Sequence, residues 1–146
     1  MTEIAIGPGC VLHWDGFKLH DGSDGHKFFV IVGAKPDCNF LAIIATSQKK
    51  WNRKYIPGCD HETGWYHIPG NGKDFFEKDT WLLFGDPQEL KTANLLQLRA
   101  EKKLEIKGLL RPDIANGIMN CMRKCEDVSA HQISLLGPSI QPPKKT

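Results

Sequence analysis

The chain lacks any long hydrophobic run. Its 146 residues contain no apolar stretch near the roughly 18 to 20 residues that span a bilayer as a helix. The chain also opens without a basic, apolar leader, and its five cysteines show no regular disulfide framework. We therefore expect a soluble protein of the reducing cytoplasm with no membrane contact.

Several familiar functional motifs are also absent. The sequence has no Gly-x-Ser-x-Gly, no phosphate-binding glycine loop and no dinucleotide-binding glycine pattern. These absences argue against classical hydrolases and nucleotide-binding enzymes. Cys59, Asp60 and His61 are adjacent, and Cys121 and Cys125 lie one helical turn apart, but neither set has the paired spacing of a structural zinc site. We expect no metal and no cofactor.

The chain has little net charge. A formal charge of +2 is too small to indicate nucleic-acid binding, so the distribution of the cations matters. Residues 48–55 interleave cations with aromatic rings, which is the combination that single-stranded nucleic-acid binding uses. The same segment is equally consistent with a solvated loop whose rings pack on the domain. Its relevant side chains are Lys49, Lys50, Trp51, Arg53, Lys54 and Tyr55.

The chain does contain several short apolar runs rich in β-branched and aromatic residues. The two densest, residues 28–32 and 41–45, are joined by a turn-rich link and followed by Thr46 and Ser47. Similar runs occur at residues 10–14, 65–68 and 80–84. Together these runs predict the strands of a small barrel, and residues 28–32, 41–45 and 80–84, which are too apolar to leave either face in water, are expected to be its central strands.

The intervening segments predict loops and turns. Residues 15–27 are rich in glycine and aspartate and predict a long loop. This loop is either a flap beside a binding face or an ordinary surface loop. Residues 58–64 predict a turn, and residues 85–87 are expected to end the preceding strand.

The hydrophobic period changes in the second half of the chain. Residues 88–102 predict a helical segment and residues 104–110 an extended piece. A clearer helix starts near Pro112, with one apolar face formed by Ile114, Ile118, Met122 and Cys125. We predict one mainly β domain over residues 1–136, with this C-terminal helix, followed by a flexible tail over residues 137–146.

In order and spacing these segments resemble the PemK/MazF-like toxins, small SH3-like barrels that include sequence-specific endoribonucleases. The matching segments are residues 9–12, 26–32, 41–47 and 76–82. The chain departs from the family pattern at two places. Lys27 stands where the family's ribonucleases typically have an arginine, and residues 86–89 replace a Gln-x-Arg-Thr-like segment.

The resemblance implies a fold and a set of site residues. The fold would be an SH3-like barrel of about five to seven strands with a C-terminal helix. The function would be binding of single-stranded RNA, with metal-independent endoribonuclease activity that is weak or lost. Lys27 would stabilise the phosphate, Thr46 and Ser47 would orient it, and His67 would carry a proton. Further substrate-binding residues would be Lys49, Lys50, Trp51, Arg53 and Thr80.

Two alternatives stay open beside that expectation. His67 lies within an apolar strand, so it also fits a packed strand residue. The ammonium of Lys27 cannot reproduce the bidentate contact of an arginine on phosphate. The rival function is therefore a non-catalytic module that binds a protein, such as an antitoxin-like partner. The family's toxins are usually dimers, so apolar surface residues are also expected to serve a homodimer.

Overall fold

The computed structural model describes residues 7–18, 24–34, 39–46, 58–60, 64–70, 75–76, 79–126 and 128–136. Within these ranges the protein is mainly β, with one antiparallel sheet of seven strands and three helices. The elements are β1 (Cys10–Lys18), β2 (Asp24–Ala34), β3 (Asn39–Thr46), β4 (Gly58–Asp60), β5 (Trp65–Ile68), β6 (Thr80–Lys91), α1 (Thr92–Ala100), β7 (Leu104–Leu109), α2 (Pro112–Lys124) and α3 (Ala130–Leu135). The strand order is β4-β5-β6-β3-β2-β1-β7.

The three most apolar runs form the centre of the sheet. Residues 28–32, 41–45 and 80–84 lie in β2, β3 and β6, as the sequence predicts. Both faces of these strands are buried. One face, which includes Val30, packs against α2 and α3, and the other, which includes Phe29, packs with residues of α1 and β7. We call these the α2 face and the α1 face.

The predicted loop over residues 15–27 is wrong at both ends. β1 continues to Lys18 and β2 begins at Asp24, so that Phe17 pairs with Gly25. The main-chain hydrogen bonds of a two-stranded ribbon tolerate glycine and aspartate, although the side chains show no apolar period. A register shift between Asp15 and Phe17 accommodates the irregular sequence. Residues 19–23 lie outside the described residues.

The predicted end of β6 at residues 85–87 is also wrong, because the strand continues to Lys91. Leu83 pairs with Ile44, whereas Gln88 pairs with Ala42. Residues 84–87 therefore form a bulge relative to β3. Since proline has no N–H to donate, it is tolerated where the ladder is interrupted in this way. The continued strand also delays α1, which begins at Thr92.

The predicted turn over residues 58–64 contains the short strand β4, which pairs with β5. The amide of Gly64 donates a 2.9 Å hydrogen bond to the carbonyl of Asp60. Residues 61–63 lie outside the described part. The predicted strands at residues 10–14 and 65–68 are confirmed as β1 and β5, and the extended piece predicted at residues 104–110 is the strand β7, which ends at Leu109.

The predicted helix near Pro112 is confirmed as α2, whose buried residues include Ile118 and Met122. The short helix α3 is an element that the apolar pattern did not reveal. It begins after Ser129, whose hydroxyl accepts a hydrogen bond from the amide of Gln132, while the Gln132 side chain accepts one from the amide of Ser129. The expected tail over residues 137–146 lies outside the description.

A disulfide between Cys59 and Cys121 joins the edge strand β4 to α2, across 62 residues of chain and a Cα–Cα distance of 5.4 Å. The sequence spacing did not indicate this pair. Cys10 and Cys125 are buried thiols. Among the described helices, none is both long and apolar enough to cross a membrane.

Candidate functional site

Three of the central strands bring polar and aromatic residues into one line. Thr46 at the end of β3 is paired with Trp81 of β6, and Trp81 is paired on its other side with His67 of β5. Directly opposite residues in an antiparallel sheet point to the same face. Thr46, Trp81 and His67 therefore form a cross-strand row on the α1 face of the sheet.

Lys27 lies next to this row. Phe28 is paired with Ala45, and one further step of that antiparallel register places Lys27 opposite Thr46. On its other side Lys27 is paired with Trp14 of β1. Lys27 is half-buried and directly precedes the apolar part of β2, so its ammonium can reach solvent. The structure thus brings together a cation and a hydroxyl that the sequence analysis assigned to one site.

His67 is held from two sides. Its ring stacks on the indole of Trp81, with centroids 5.1 Å apart and planes 10° from parallel. Its Nε2 lies 3.5 Å from Oδ1 of Asp79, which is longer than an ordinary hydrogen bond. The same carboxylate oxygen accepts a 2.8 Å hydrogen bond from the amide of Gly70. The imidazole is therefore fixed in position beside an anchored carboxylate.

Burial limits what the row can contact. Thr46, His67 and Trp81 are 8%, 5% and 3% exposed. The side chain of Asp79 is 54% exposed. A ligand can therefore reach the accessible ends of the row, at Lys27 and Asp79, while a contact with the imidazole requires the site to open.

Thr80 does not belong to the row. It is paired with Ile68 and is buried on the α2 face, because successive residues of a strand point to opposite sides. Ser47, Lys49, Lys50, Trp51 and Arg53 lie outside the described residues.

Trp81 and Asp79 are site residues that sequence reasoning missed. Trp81 looks like an ordinary core residue of an apolar strand, and Asp79 looks like a polar residue before it. Only the register between β5 and β6 places them beside His67. The sequence contains no local signal for that register, so no motif could have identified either residue.

The described ranges contain no group of three or more His, Cys, Asp or Glu side chains that could hold a metal ion. At the row, His67 contributes an imidazole and Asp79 a neighbouring carboxylate. Lys27 offers a cation that can contact a phosphate, with the buried hydroxyl of Thr46 on the next strand, and His67 beside Asp79 offers an imidazole suited to proton transfer.

Comparison with known proteins gives no match, since no family model, no curated protein and no solved structure is similar to this chain.

Proposed function

We propose that this chain is a PemK/MazF-like protein that binds single-stranded RNA where the cross-strand row reaches solvent at Lys27. The observation that supports the proposal is the row of Thr46, Trp81 and His67 on paired strands, with Lys27 one residue before Phe28, which is paired with Ala45. An ammonium and a hydroxyl on neighbouring strands are suited to a backbone phosphate.

An SH3-like barrel is part of the same proposal. The sheet is interrupted by register shifts between β1 and β2, β2 and β3, β3 and β6, and β1 and β7. Bulges increase twist and bend strands, which is how a small sheet curls toward closure. The burial of both sheet faces also fits a strongly curled arrangement.

Endoribonuclease activity, if present, is expected to be weak. Cleavage through the 2′-hydroxyl requires a proton acceptor, a proton donor and charge stabilisation on the phosphate. His67 with Asp79 is suited to the proton transfers, and Lys27 to the charge. However, the imidazole is buried, and an ammonium cannot make the bidentate contact of a guanidinium with a phosphate. We therefore expect the protein to bind RNA but to cleave it slowly.

The binding proposal is tested by titrating a labelled single-stranded RNA of mixed sequence at several salt concentrations. Lys27→Met should weaken binding and reduce the slope of log K against log salt by about 0.7, because one phosphate contact on a single strand is lost. Lys27→Arg should keep the slope. Lys124→Met is the matched control, because Lys124 is exposed in the last turn of α2, the helix that covers the opposite face of the sheet. An unchanged slope in Lys27→Met would contradict the proposal.

The same titration tests the basic segment. Exchanging Lys49, Lys50 and Arg53 together for alanine should flatten the salt dependence further, and Trp51→Ala should weaken binding by about 1 to 3 kcal/mol if a base stacks on the indole.

Any cleavage should be insensitive to metal chelation, yield cyclic phosphate ends and disappear in Lys27→Met. Cleavage that persists in Lys27→Met would place the chemistry elsewhere.

The second candidate is a non-catalytic module that binds a protein, either an antitoxin-like partner or a second copy of the chain. The observation that favours it is the exposure of two large apolar side chains, Leu96 on α1 and Leu109 on β7, at 56% and 68%. Unchanged RNA titrations in every variant above, together with concentration-dependent self-association, would favour this candidate.

A further inference from the structure

The Cys59–Cys121 disulfide connects β4, the strand beside His67, to α2 on the opposite face of the sheet. Cys59 is an exposed residue of β4, whereas Cys121 is 1% exposed and lies on the buried face of α2. The bond therefore joins a surface strand to the interior. A disulfide with one accessible end can be attacked by an external thiolate from that end.

The strand that the disulfide holds lies directly beside His67. In the β4–β5 pairing Gly58 is opposite His67, and Cys59 is opposite Tyr66. Cys59 and Tyr66 therefore point to the α2 face, where Tyr66 packs closely on Gly117 of α2. Gly58 and His67 share the other face. The disulfide thus anchors to α2 the strand that borders the imidazole.

β4 is a short edge strand that is held by β5, by its packing on α2 and by the disulfide. It is three residues long, it is the edge strand of the sheet, and among the described strands it pairs with β5 alone. So short an edge strand contributes few hydrogen bonds, and strand ends of this kind open locally at low free-energy cost. The disulfide is a covalent bond between this edge strand and α2, so its removal should affect β4 first.

We propose that the Cys59–Cys121 disulfide is a reversible redox site, opened by a dithiol protein reductant, which controls access to His67. We call the redox-dependent attachment of β4 by the Cys59–Cys121 bond the tether. Its effect on RNA binding rests on the proposed function, whereas the tether itself does not. In the oxidised form β4 is locked onto β5 and the imidazole is enclosed. In the reduced form β4 detaches, β5 becomes the edge strand, and His67 becomes accessible.

Thiol–disulfide exchange with a dithiol opens the Cys59–Cys121 bond in two steps. A thiolate of the reductant attacks Sγ of Cys59, which forms a mixed disulfide and breaks the bond to Cys121. The Cys121 thiolate leaves and takes up a proton. The second thiolate of the reductant then attacks the reductant sulfur that is bonded to Cys59, which releases the Cys59 thiolate to be protonated. Two electrons pass to the protein disulfide, and the reductant ends as a disulfide.

The experiment compares the full chain oxidised with diamide and reduced with a phosphine. Peptide mapping without reduction should find the Cys59–Cys121 cross-link in the oxidised sample. Amide hydrogen exchange at residues 58–60 and 65–68 should then accelerate about tenfold on reduction, with β1 and β2 unchanged. Acylation of His67 by diethyl pyrocarbonate should rise as well, while acylation of the exposed His131 should stay constant.

Two variants separate the tether from general effects of the reductant. Cys59→Ser should behave as the reduced protein under both conditions. Cys125→Ala, which removes a buried free thiol and keeps the disulfide, should respond as the wild type does. Absence of the cross-link, or equal exchange and acylation in both redox states, would overturn the proposal.

RNA titrations in the two redox states distinguish this inference from the proposed function. Tighter binding by the reduced form, with no redox response in Cys59→Ser, would support both. Redox-dependent exchange and acylation of His67 without RNA binding in either state would support the tether and remove the proposed function. RNA binding that is equal in both states, with equal exchange, would leave the proposed function and overturn the tether.

Discussion

Gly33 is the residue on which the packing of α3 depends most directly. A Cβ atom at this position would lie 2.0 Å from the carbonyl oxygen of Leu135 and 2.8 Å from its carbonyl carbon. These are backbone atoms, which cannot move aside as a flexible side chain can. The end of α3 therefore rests on the bare backbone of β2, a contact that only glycine permits.

Gly33→Ala should destabilise the protein by about 1 to 3 kcal/mol, because α3 must shift to relieve the overlap. Urea unfolding followed by circular dichroism measures this change. Gly85→Ala is the control, since a Cβ there meets no atom within 4 Å. Equal stability of the two variants would show that α3 does not pack on β2 in this way.

Glu105 and Lys107 form an ion pair within β7, with 2.7 Å between Nζ and Oε2. The hydrogen bond and the positive charge from Lys107 lower the pKa of Glu105 below its ordinary value of 4.5. The pair therefore stabilises the fold above that value, and its contribution is lost as the pH falls through the lowered pKa. Because both side chains are well exposed, solvent keeps the contribution small.

Replacing Lys107 by methionine should raise the pKa of Glu105 toward its ordinary value. The side-chain carboxyl resonance of Glu105, followed by NMR during an acid titration, reports this directly. Lys103→Met is a control, because Lys103 pairs with Glu101 instead. A pKa of Glu105 that stays lowered without Lys107 would contradict the assignment.

At the scale of elements, α3 illustrates how a short helix is held by its first turn. A helix of six residues has too few internal hydrogen bonds to be stable alone. The reciprocal hydrogen bonds of Ser129 and Gln132 satisfy two of its free amides. Leu135 then buries its side chain in the core on the α2 face.

Ser129→Ala should cost about 1 kcal/mol, since the cap is lost while the buried contacts of α3 remain. Ser134→Ala, an exposed serine within the same helix, should change the unfolding free energy by about 0.5 kcal/mol or less. Denaturant unfolding of both variants gives the comparison. A Ser129 variant as stable as wild type would mean that the capping box contributes nothing to α3.

At the scale of the whole molecule, the outer edge of β7 bears on the homodimer proposal. Among the described strands β7 pairs with β1 alone. Glu105 and Lys107 flank Ile106, so two β7 strands joined antiparallel about Ile106 would place the Glu105 of each copy opposite the Lys107 of the other. Opposite charges across neighbouring strands stabilise such pairing.

A charge exchange tests that dimer. Glu105→Lys should weaken self-association, because each copy would then present like charges across the interface. The double variant Glu105→Lys with Lys107→Glu should restore it, since the complementarity is recovered in reversed order. Sedimentation over a range of concentrations measures the association. A double variant as weak as the single one, or a wild-type chain that stays monomeric, would contradict pairing through β7.

The sequence alone determined the elements whose signals are local. The runs at residues 28–32, 41–45 and 80–84 are dense enough in β-branched and aromatic residues to indicate strands buried on both faces. Pro112 and the apolar face of α2 likewise define that helix. The capping box at Ser129 was a local signal too, and it would have revealed α3.

Only the tertiary structure decided the pairing of distant residues. The bulge at residues 84–87, the Cys59–Cys121 bond and the contact of His67 with Asp79 all depend on strand register and helix docking. Register is set by the sum of many side-chain contacts across the sheet, which no single segment encodes. The sequence could therefore suggest Lys27, Thr46 and His67 as site residues. The fold aligned Thr46 and His67 across neighbouring strands and added Trp81 between these two.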